Sequence, residues 1–393
     1  MLKDLRIKNR EPHFYLLLNA EVLSPEPMGL CDVWVASGKV VGLHPAGFDR
    51  PSSVPALDLH GQKLVPGFID QHIHLIGAGG KSGFSSMTPE IPLEDLMRCG
   101  TTTAVGLLGT DGSTRSIKSL YAKVKALEEE GMSAYMYTGY YGLEPTHITG
   151  NLQDDMIFID KVLGCKVAIA DIRSSYPTDL ELVRLLRNVR VAGRIAGKKG
   201  ILHLHLGALK TGLDPLFRLV EEHEFPIEHI SPTHVGRTQA LFEHALEFAK
   251  LGGMIDITTG ASKYTDPWKA VIYALDQGVD LHTMTFSTDG YAGLDARDAE
   301  GNVIGSRPAP IEANREQAFL LHTQGGLPLS EALKLITLNP ATNVGLPHKG
   351  RIAVGADADF VLLSDTLDIV QVYCKGMSMY AEAELPQPHS PRA

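Results

Sequence analysis

Two imidazoles stand two residues apart in Gly67-Phe68-Ile69-Asp70-Gln71-His72-Ile73-His74, at the end of an apolar, β-branched run. Strand side chains alternate faces, so His72 and His74 point the same way and can take one metal ion together. Alone, the pair is equally compatible with two hydrogen-bonded core histidines. The deciding residues come later: Lys166 in Lys166-Val167-Ala168-Ile169-Ala170, His205 in His203-Leu204-His205-Leu206-Gly207, His234 in Pro232-Thr233-His234-Val235 and Asp289 in Ser287-Thr288-Asp289-Gly290. Imidazoles and carboxylates are the ligands zinc takes. His203 and His205 share a face, so either can serve; His205 is nearer the strand end. One buried histidine is usually a satisfied core residue, and one Asp-Gly is usually a turn. Four histidines and an aspartate closing four different strands favour a metal site.

Those strands belong to an alternating pattern. Apolar runs at Leu64 to Leu75, Thr102 to Leu107, Ser133 to Thr138, Cys165 to Ala170, Ile201 to Leu206, His229 to Val235, Met254 to Thr258 and Met284 to Asp289 alternate with helix-spaced segments. Such segments include Ser116 to Glu130, Leu180 to Ile195, Gln239 to Leu251, Trp268 to Gln277 and a final Leu329 to Leu338. Eight strand-helix units predict a (β/α)8 TIM-like barrel, whose active site lies at the C-terminal ends of the strands. Short strand runs flank it at Phe14 to Leu18, Val33 to Val35, Lys39 to Leu43, Phe360 to Leu363 and Ile369 to Tyr373. They predict a small β-sandwich domain from residues 1–64 and 346–393 beside a barrel of 65–345, with a loose Pro-rich tail from Glu384.

A chain of 393 residues with 44% hydrophobic and 21% charged content has the composition of a globular protein. A net charge of -10 without a Lys/Arg-rich run argues against nucleic acid as partner. Met1 to Pro12 is charged where a signal peptide needs an apolar core, and no uninterrupted apolar run is long enough to span a bilayer. Cys31, Cys99, Cys165 and Cys374 are scattered without a Cys-x-x-Cys pair, as in reduced cytosolic proteins. The expectation is a cytoplasmic protein with no membrane partner.

The whole constellation resembles the amidohydrolase superfamily. Within it, Val65-Pro66-Gly67-Phe68-Ile69-Asp70-Gln71-His72-Ile73-His74-Leu75-Ile76-Gly77, Gly106-Leu107-Leu108-Gly109-Thr110-Asp111 and Ile255-Asp256-Ile257-Thr258 are similar to isoaspartyl (β-aspartyl) dipeptidases, a likeness that runs to Gly355-Ala356-Asp357-Ala358-Asp359. The resemblance implies a homo-oligomeric hydrolase with two divalent metal ions, usually zinc, bridged by hydroxide and by a carbon dioxide-derived carbamate on Lys166. His72, His74 and Asp289 then surround one ion, and His205 and His234 hold the other. Asp289 shuttles the proton, and Tyr141 stabilises the oxyanion. Arg173 and Arg237 grip substrate carboxylate, with further contacts from Gly79 and Thr110. Guanidinium groups suit this because they bind carboxylates bidentately and stay charged.

Two positions depart from the family pattern. Lys81 stands where the family has a glutamate for the substrate's α-ammonium group, and Gly293 where it has a serine for the aspartyl α-carboxylate. Two cations about 4 Å apart repel by roughly 1 to 4 kcal/mol. The expected substrate is therefore a small anionic amide or dipeptide-like molecule carrying an anionic or neutral group near Lys81, such as an N-acyl or N-carbamoyl amino acid; a solvent-facing Lys81, or Glu90 acting as the acid, would keep the ammonium. A cyclic amidase of dihydroorotase or hydantoinase type would use the same centre. A mononuclear deaminase fits a bridging lysine less well, and a non-catalytic scaffold should lack several of these ligands.

Overall fold

The computed structural model describes residues 14–49, 51–79 and 83–381; Met1 to Pro12, Lys81 and the tail from Glu384 lie outside them. The chain opens with β1 (Phe14–Leu23), β2 (Pro27–Ala36), β3 (Lys39–Pro45), β4 (Ala56–Asp58) and β5 (Lys63–Pro66). The barrel strands follow: β6 (Phe68–Ile73), β7 (Thr101–Gly106), β8 (Ser133–Gly139), β9 (Val162–Ile169), β10 (Ile201–Leu206), β11 (Ile230–Thr233), β12 (Ile255–Thr258) and β13 (Met284–Ser287). A hairpin, β14 (Gly293–Arg297) and β15 (Val303–Pro308), leaves the end of the barrel, and β16 (Phe360–Leu363), β17 (Ile369–Cys374) and β18 (Met377–Ala381) close the described chain.

Strands β6 to β13 pair in parallel in chain order. The ring closes through a bridge between Ile73 and Gly290 and through Asp289 N–H donating to His72 O at 3.1 Å and His74 N–H to Gly290 O at 2.9 Å. The first and last metal-ligand candidates are therefore hydrogen-bonded to each other's backbone at the barrel seam. The expected (β/α)8 barrel is the observed fold. Because every barrel strand is covered on both sides, the strands read as continuous apolar runs, with polar residues only where something internal satisfies them.

The terminal segments come together in one eight-stranded sheet ordered β18-β17-β16-β5-β1-β2-β3, with β4 on β1. It is interrupted by register shifts between Leu17 and Ala20 and between Leu362 and Leu363. The run Leu64 to Leu75 is two strands rather than one. Its break is Gly67, where a Cβ would lie 2.1 Å from Thr102 Oγ1, so only glycine lets β5 leave for the terminal sheet as β6 enters the barrel. Near this junction Lys349 Nζ lies 2.7 Å from Asp357, contacts Asp359 and donates to Ser133 Oγ at the start of β8, at 2.6 Å.

Helices start where caps predict. Ser116 caps Ile117–Glu129, and Thr178 with Glu181 forms a capping box on Asp179–Ala196, which ends at left-handed Gly197. The expected helix Leu329 to Leu338 is two helices, Leu329–Lys334 and Leu338–Val344. Pro340, in the first turn of the second helix, has no N–H to give and its ring clashes with the carbonyl four residues back, so the first helix cannot continue unbroken into the second. Among the described residues no helix is long and apolar enough to cross a membrane. All four cysteines are buried and free.

Candidate metal centre

Strand alternation and strand ends deliver the candidate residues to one rim. His72 lies in β6 and His74 just beyond it; Lys166 lies in β9, His205 in β10, His234 directly follows β11, and Asp289 comes two residues after β13. His234 and Asp289 adopt left-handed backbone conformations, φ 65° and 53°. Such angles cost a non-glycine residue on the order of 1 to 3 kcal/mol and gather at functional sites.

His72 Nε2 is 3.2 Å from Asp289 Oδ1, and His74 Nε2 is 3.0 Å from the same oxygen. His72, His234 and Asp289 place ligand atoms within 4.8 Å of one another, a cluster able to hold a metal ion. Lys166 Nζ is 3.3 Å from His72 Nε2. His205 packs edge-on against His234, ring centroids 4.5 Å apart; its Nδ1 is 2.8 Å from the Tyr141 hydroxyl and its Nε2 3.0 Å from Asp171 Oδ2. His234 Nδ1 is 2.6 Å from Thr258 Oγ1, which leaves its other nitrogen for a ligand. A solvent-open cleft of about 860 Å³ is lined by His74, Gly79, Thr110, Tyr141, Arg173, His234, Arg237, Asp289 and Gly293, among others.

The donor set fits divalent cations. Burial drives the His72 imidazole down to about 3, with the neighbouring Lys166 charge adding to the effect, so the ring is a neutral ligand. Burial lowers Lys166 to about 7; Asp289 opposes this and Arg173 and Arg237 reinforce it. Among the described residues no carboxylate lies within ion-pair distance of Lys166, an arrangement that suits an uncharged or chemically modified amine. Burial raises Asp289, but the surrounding imidazoles of His234, His72 and His74 prevail and hold its carboxyl well below the usual range. His74 Nδ1 is buried without a partner. Burial pushes Tyr141 up, so its hydroxyl remains a donor.

Asp289, Tyr141, His74, His234, Gly79, Thr110, Arg173, Arg237 and Gly293 line one cleft, and His72, Lys166 and His205 adjoin it through their contacts with Asp289, His72 and Tyr141; Lys81 lies outside the described residues. The two arginines are unequal. Arg173 is already held by Asp171, Nε to Oδ1 at 2.9 Å and Nη2 to Oδ2 at 2.6 Å, whereas Arg237 Nε is buried without a partner. Glu90 lies 3.7 Å from Lys123, with its side chain 59% exposed. At Gly293 a Cβ would stand 3.1 Å from Gly79 Cα and 3.2 Å from Ser306 Oγ, so a side chain there would need the facing loop and a hydroxyl from β15 to give by a few tenths of an ångström. Sequence reasoning missed Asp171, Ser306 and the cleft-lining Lys263. The first stands two residues before Arg173; the other two depend on loop and hairpin geometry that leaves no periodic signal.

The amidohydrolase family model matches residues 64–379. The chain belongs to the amidohydrolase family. A solved β-aspartyl dipeptidase of Fervidobacterium islandicum AW-1, in complex with β-Asp-Leu dipeptide, is 41% identical over 94% of this chain and 97% of its own, with a TM-score of 0.86. This amidohydrolase is accordingly a β-aspartyl-dipeptidase-like member. An adenine deaminase of Desulfitobacterium hafniense is 26% identical over 98% of this chain, which spans only 62% of that relative's length. A dihydropyrimidinase from Brevibacillus agri, 16% identical with a TM-score of 0.63, shares the fold.

Proposed function

We propose that this amidohydrolase is a binuclear metal-dependent hydrolase that cleaves the amide or isopeptide C–N bond of a small anionic, dipeptide-like substrate. The carrying observation is Lys166, a fully buried lysine beside His72 with no acid at ion-pair distance among the described residues. His72, His74 and Asp289 would hold one zinc ion, and His205 and His234 the other. Lys166 would join them as a carbamate: its neutral amine adds carbon dioxide and releases one proton. At pH 7 only about one free lysine in 2,500 is neutral, but burial removes most of that barrier. When bound, the ions supply an ionised water near neutral pH and polarise the substrate carbonyl.

The protein's own groups do the rest. Asp289, kept ionised by its neighbours, takes a proton on a carboxylate oxygen and returns it to the leaving nitrogen. Tyr141 donates its hydroxyl to the carbonyl oxygen as charge develops there. Arg237, with no acid partner at its buried Nε, takes the substrate carboxylate first; Arg173 orients through Asp171 and contributes Nη1, 3.4 Å from Thr110 Oγ1. Two arginines favour an anionic amide over the neutral purine that the likeness to adenine deaminases would suggest. The division into a barrel of 65–345 and a β domain of 1–64 and 346–393 is part of the same proposal, supported by the pairing of β16 with β5. Homo-oligomeric assembly and a cytoplasmic location go with it by family likeness alone.

Substrate recognition at the amine end is altered by Lys81 and Gly293. Kinetics on zinc-loaded protein prepared with bicarbonate should show N-acetyl-β-Asp-Leu cleaved about 5-fold or more faster in kcat/KM than β-Asp-Leu, from roughly 1 to 4 kcal/mol of cation repulsion. Strong preference for the free amine refutes the altered recognition. Cleavage of dihydropyrimidines or hydantoins in place of both would move the assignment to a cyclic amidase.

A further inference from the structure

Behind His72, on the side away from Asp289, lies a second imidazole. His72 Nδ1 is 2.8 Å from His203 Nε2, and His203 Nδ1 is 3.2 Å from Ser231 Oγ. Ser231 Oγ accepts from Asn343 Nδ2 at 2.9 Å, and the same amide nitrogen donates to Gln71 Oε1 at 2.8 Å. Gln71 Nε2 then donates to Asp256 Oδ1 at 2.8 Å. Every member of this chain is buried. Tyr137 lies flat on His203, ring centroids 4.7 Å apart at 8°, which fixes the plane of the imidazole.

A neutral imidazole has one N–H and one lone pair. If His72 carries its proton on Nε2, then Nδ1 accepts from His203 Nε2–H and the nitrogen facing Asp289 and Lys166 is no ligand. If the proton is on Nδ1, it is donated to His203 Nε2, and the lone pair of Nε2 is free. The two forms cannot coexist, because the His72–His203 contact holds one proton.

We infer that His203 is a positioning residue that holds His72 in the Nδ1–H form when metal is bound, accepting at its own Nε2 and donating its Nδ1–H to Ser231 Oγ. The inference rests on the metal-dependent reading above, and it assigns His203, which shares a strand face with His205, to orientation rather than ligation. It explains why a histidine faces His72 at a place where a leucine would fill the barrel interior as well. Metal-bound histidines elsewhere are oriented by such partners at their second nitrogen, and losing the partner costs about 10- to 100-fold in affinity.

Zinc affinity, measured by chelator competition on the full chain in bicarbonate, tests this together with the melting temperature of the metal-free protein. His203→Leu should lose about 10- to 100-fold in affinity. His203→Gln, whose amide oxygen can accept from His72 Nδ1–H, should recover most of that loss whatever its effect on melting. Equal affinity of His203→Leu and the parent overturns the inference, as does a His203→Gln variant no better than His203→Leu. Should the leucine variant not fold, histidine nitrogen shifts of the zinc-loaded parent decide: a proton on Nε2 of His203 overturns the assignment, and one on Nδ1 supports it. A parent that takes up no zinc instead overturns the functional reading itself, a result distinct from failure of the His203 role.

Discussion

Lys166 and Lys349 are both buried in the protein, 0% and 3% exposed, yet their surroundings are opposite. Lys349 sits between Asp357 and Asp359 and donates to Ser133, and although burial opposes it, those carboxylates raise its ammonium above the ordinary lysine range. Lys166 has an imidazole nitrogen at 3.3 Å and two arginines among the charges that disfavour its own, and it is driven down to about 7. A fold that needs a buried cation provides anions for it. One that leaves a buried lysine facing neutral nitrogen bases wants the amine uncharged, and the difference separates a structural lysine from a reactive one.

The largest effect that could break this contrast is at Lys166. Lys166→Met should lower kcat/KM by about 10⁴-fold or more, as removal of a member of a catalytic unit does, while the metal-free protein melts no lower than the parent, because a desolvated amine without an acid partner contributes little to the fold. Calorimetry and turnover on the same preparation check both halves. A variant that stays active, or one that melts far below the parent, would place Lys166 with the structural lysines.

Lys349→Met should do the reverse. Removing one partner of a buried ion cluster leaves Asp357 and Asp359 uncompensated and costs about 3 to 5 kcal/mol of stability. Lys39, 2.5 Å from Asp357, and the backbone N–H of Lys375, which donates to Asp359, place the effect at the lower end. Well below its melting temperature the variant should keep the parent's zinc content and turnover, since no cleft residue contacts Lys349. Denaturant unfolding of the metal-free proteins measures the first, and steady-state rates at low temperature the second.

How much of this was legible in the chain follows from what each feature depends on. The barrel showed itself because its strands are buried on both faces and read as apolar runs. The histidines showed because they interrupt those runs at the strand ends. Lys166 could be singled out since a lysine inside an apolar strand has no solvent to reach. Asp171 was hidden by the Asp-Ile-Arg spacing, which on its own reads as a loop ion pair, and only the fold brings it to 3.0 Å from His205. Ser306 comes from a hairpin with one half-buried and one mostly exposed strand, neither of which carries an alternating pattern, so neither the hairpin nor the hydroxyl beside Gly293 could be anticipated. The role of His203 was ambiguous for a related reason: strand alternation gives His203 and His205 the same face, and only the distances to His72 and Tyr141 tell them apart.

The smallest effect concerns pH and sharpens the comparison from the structural side. Burial raises Asp357, but the Lys349 charge and the hydrogen bonds from Lys349 and Lys39 prevail and depress it in the folded protein. A depressed carboxylate contributes stability that is present above its unfolded value of about 3.9 and is lost as pH falls through the lower folded value. Lys349 is raised, so its contribution is complete below the unfolded value of about 10.4 and is lost only as pH rises through the higher folded one. The stability difference between the parent and Lys349→Met, both metal-free, should therefore be flat from about pH 5 to pH 10 and shrink beyond either end. Melting temperatures across that range suffice to test it. A difference that already falls between pH 6 and pH 8 would mean that Lys349 titrates as Lys166 does, and that its two carboxylates do not set its charge.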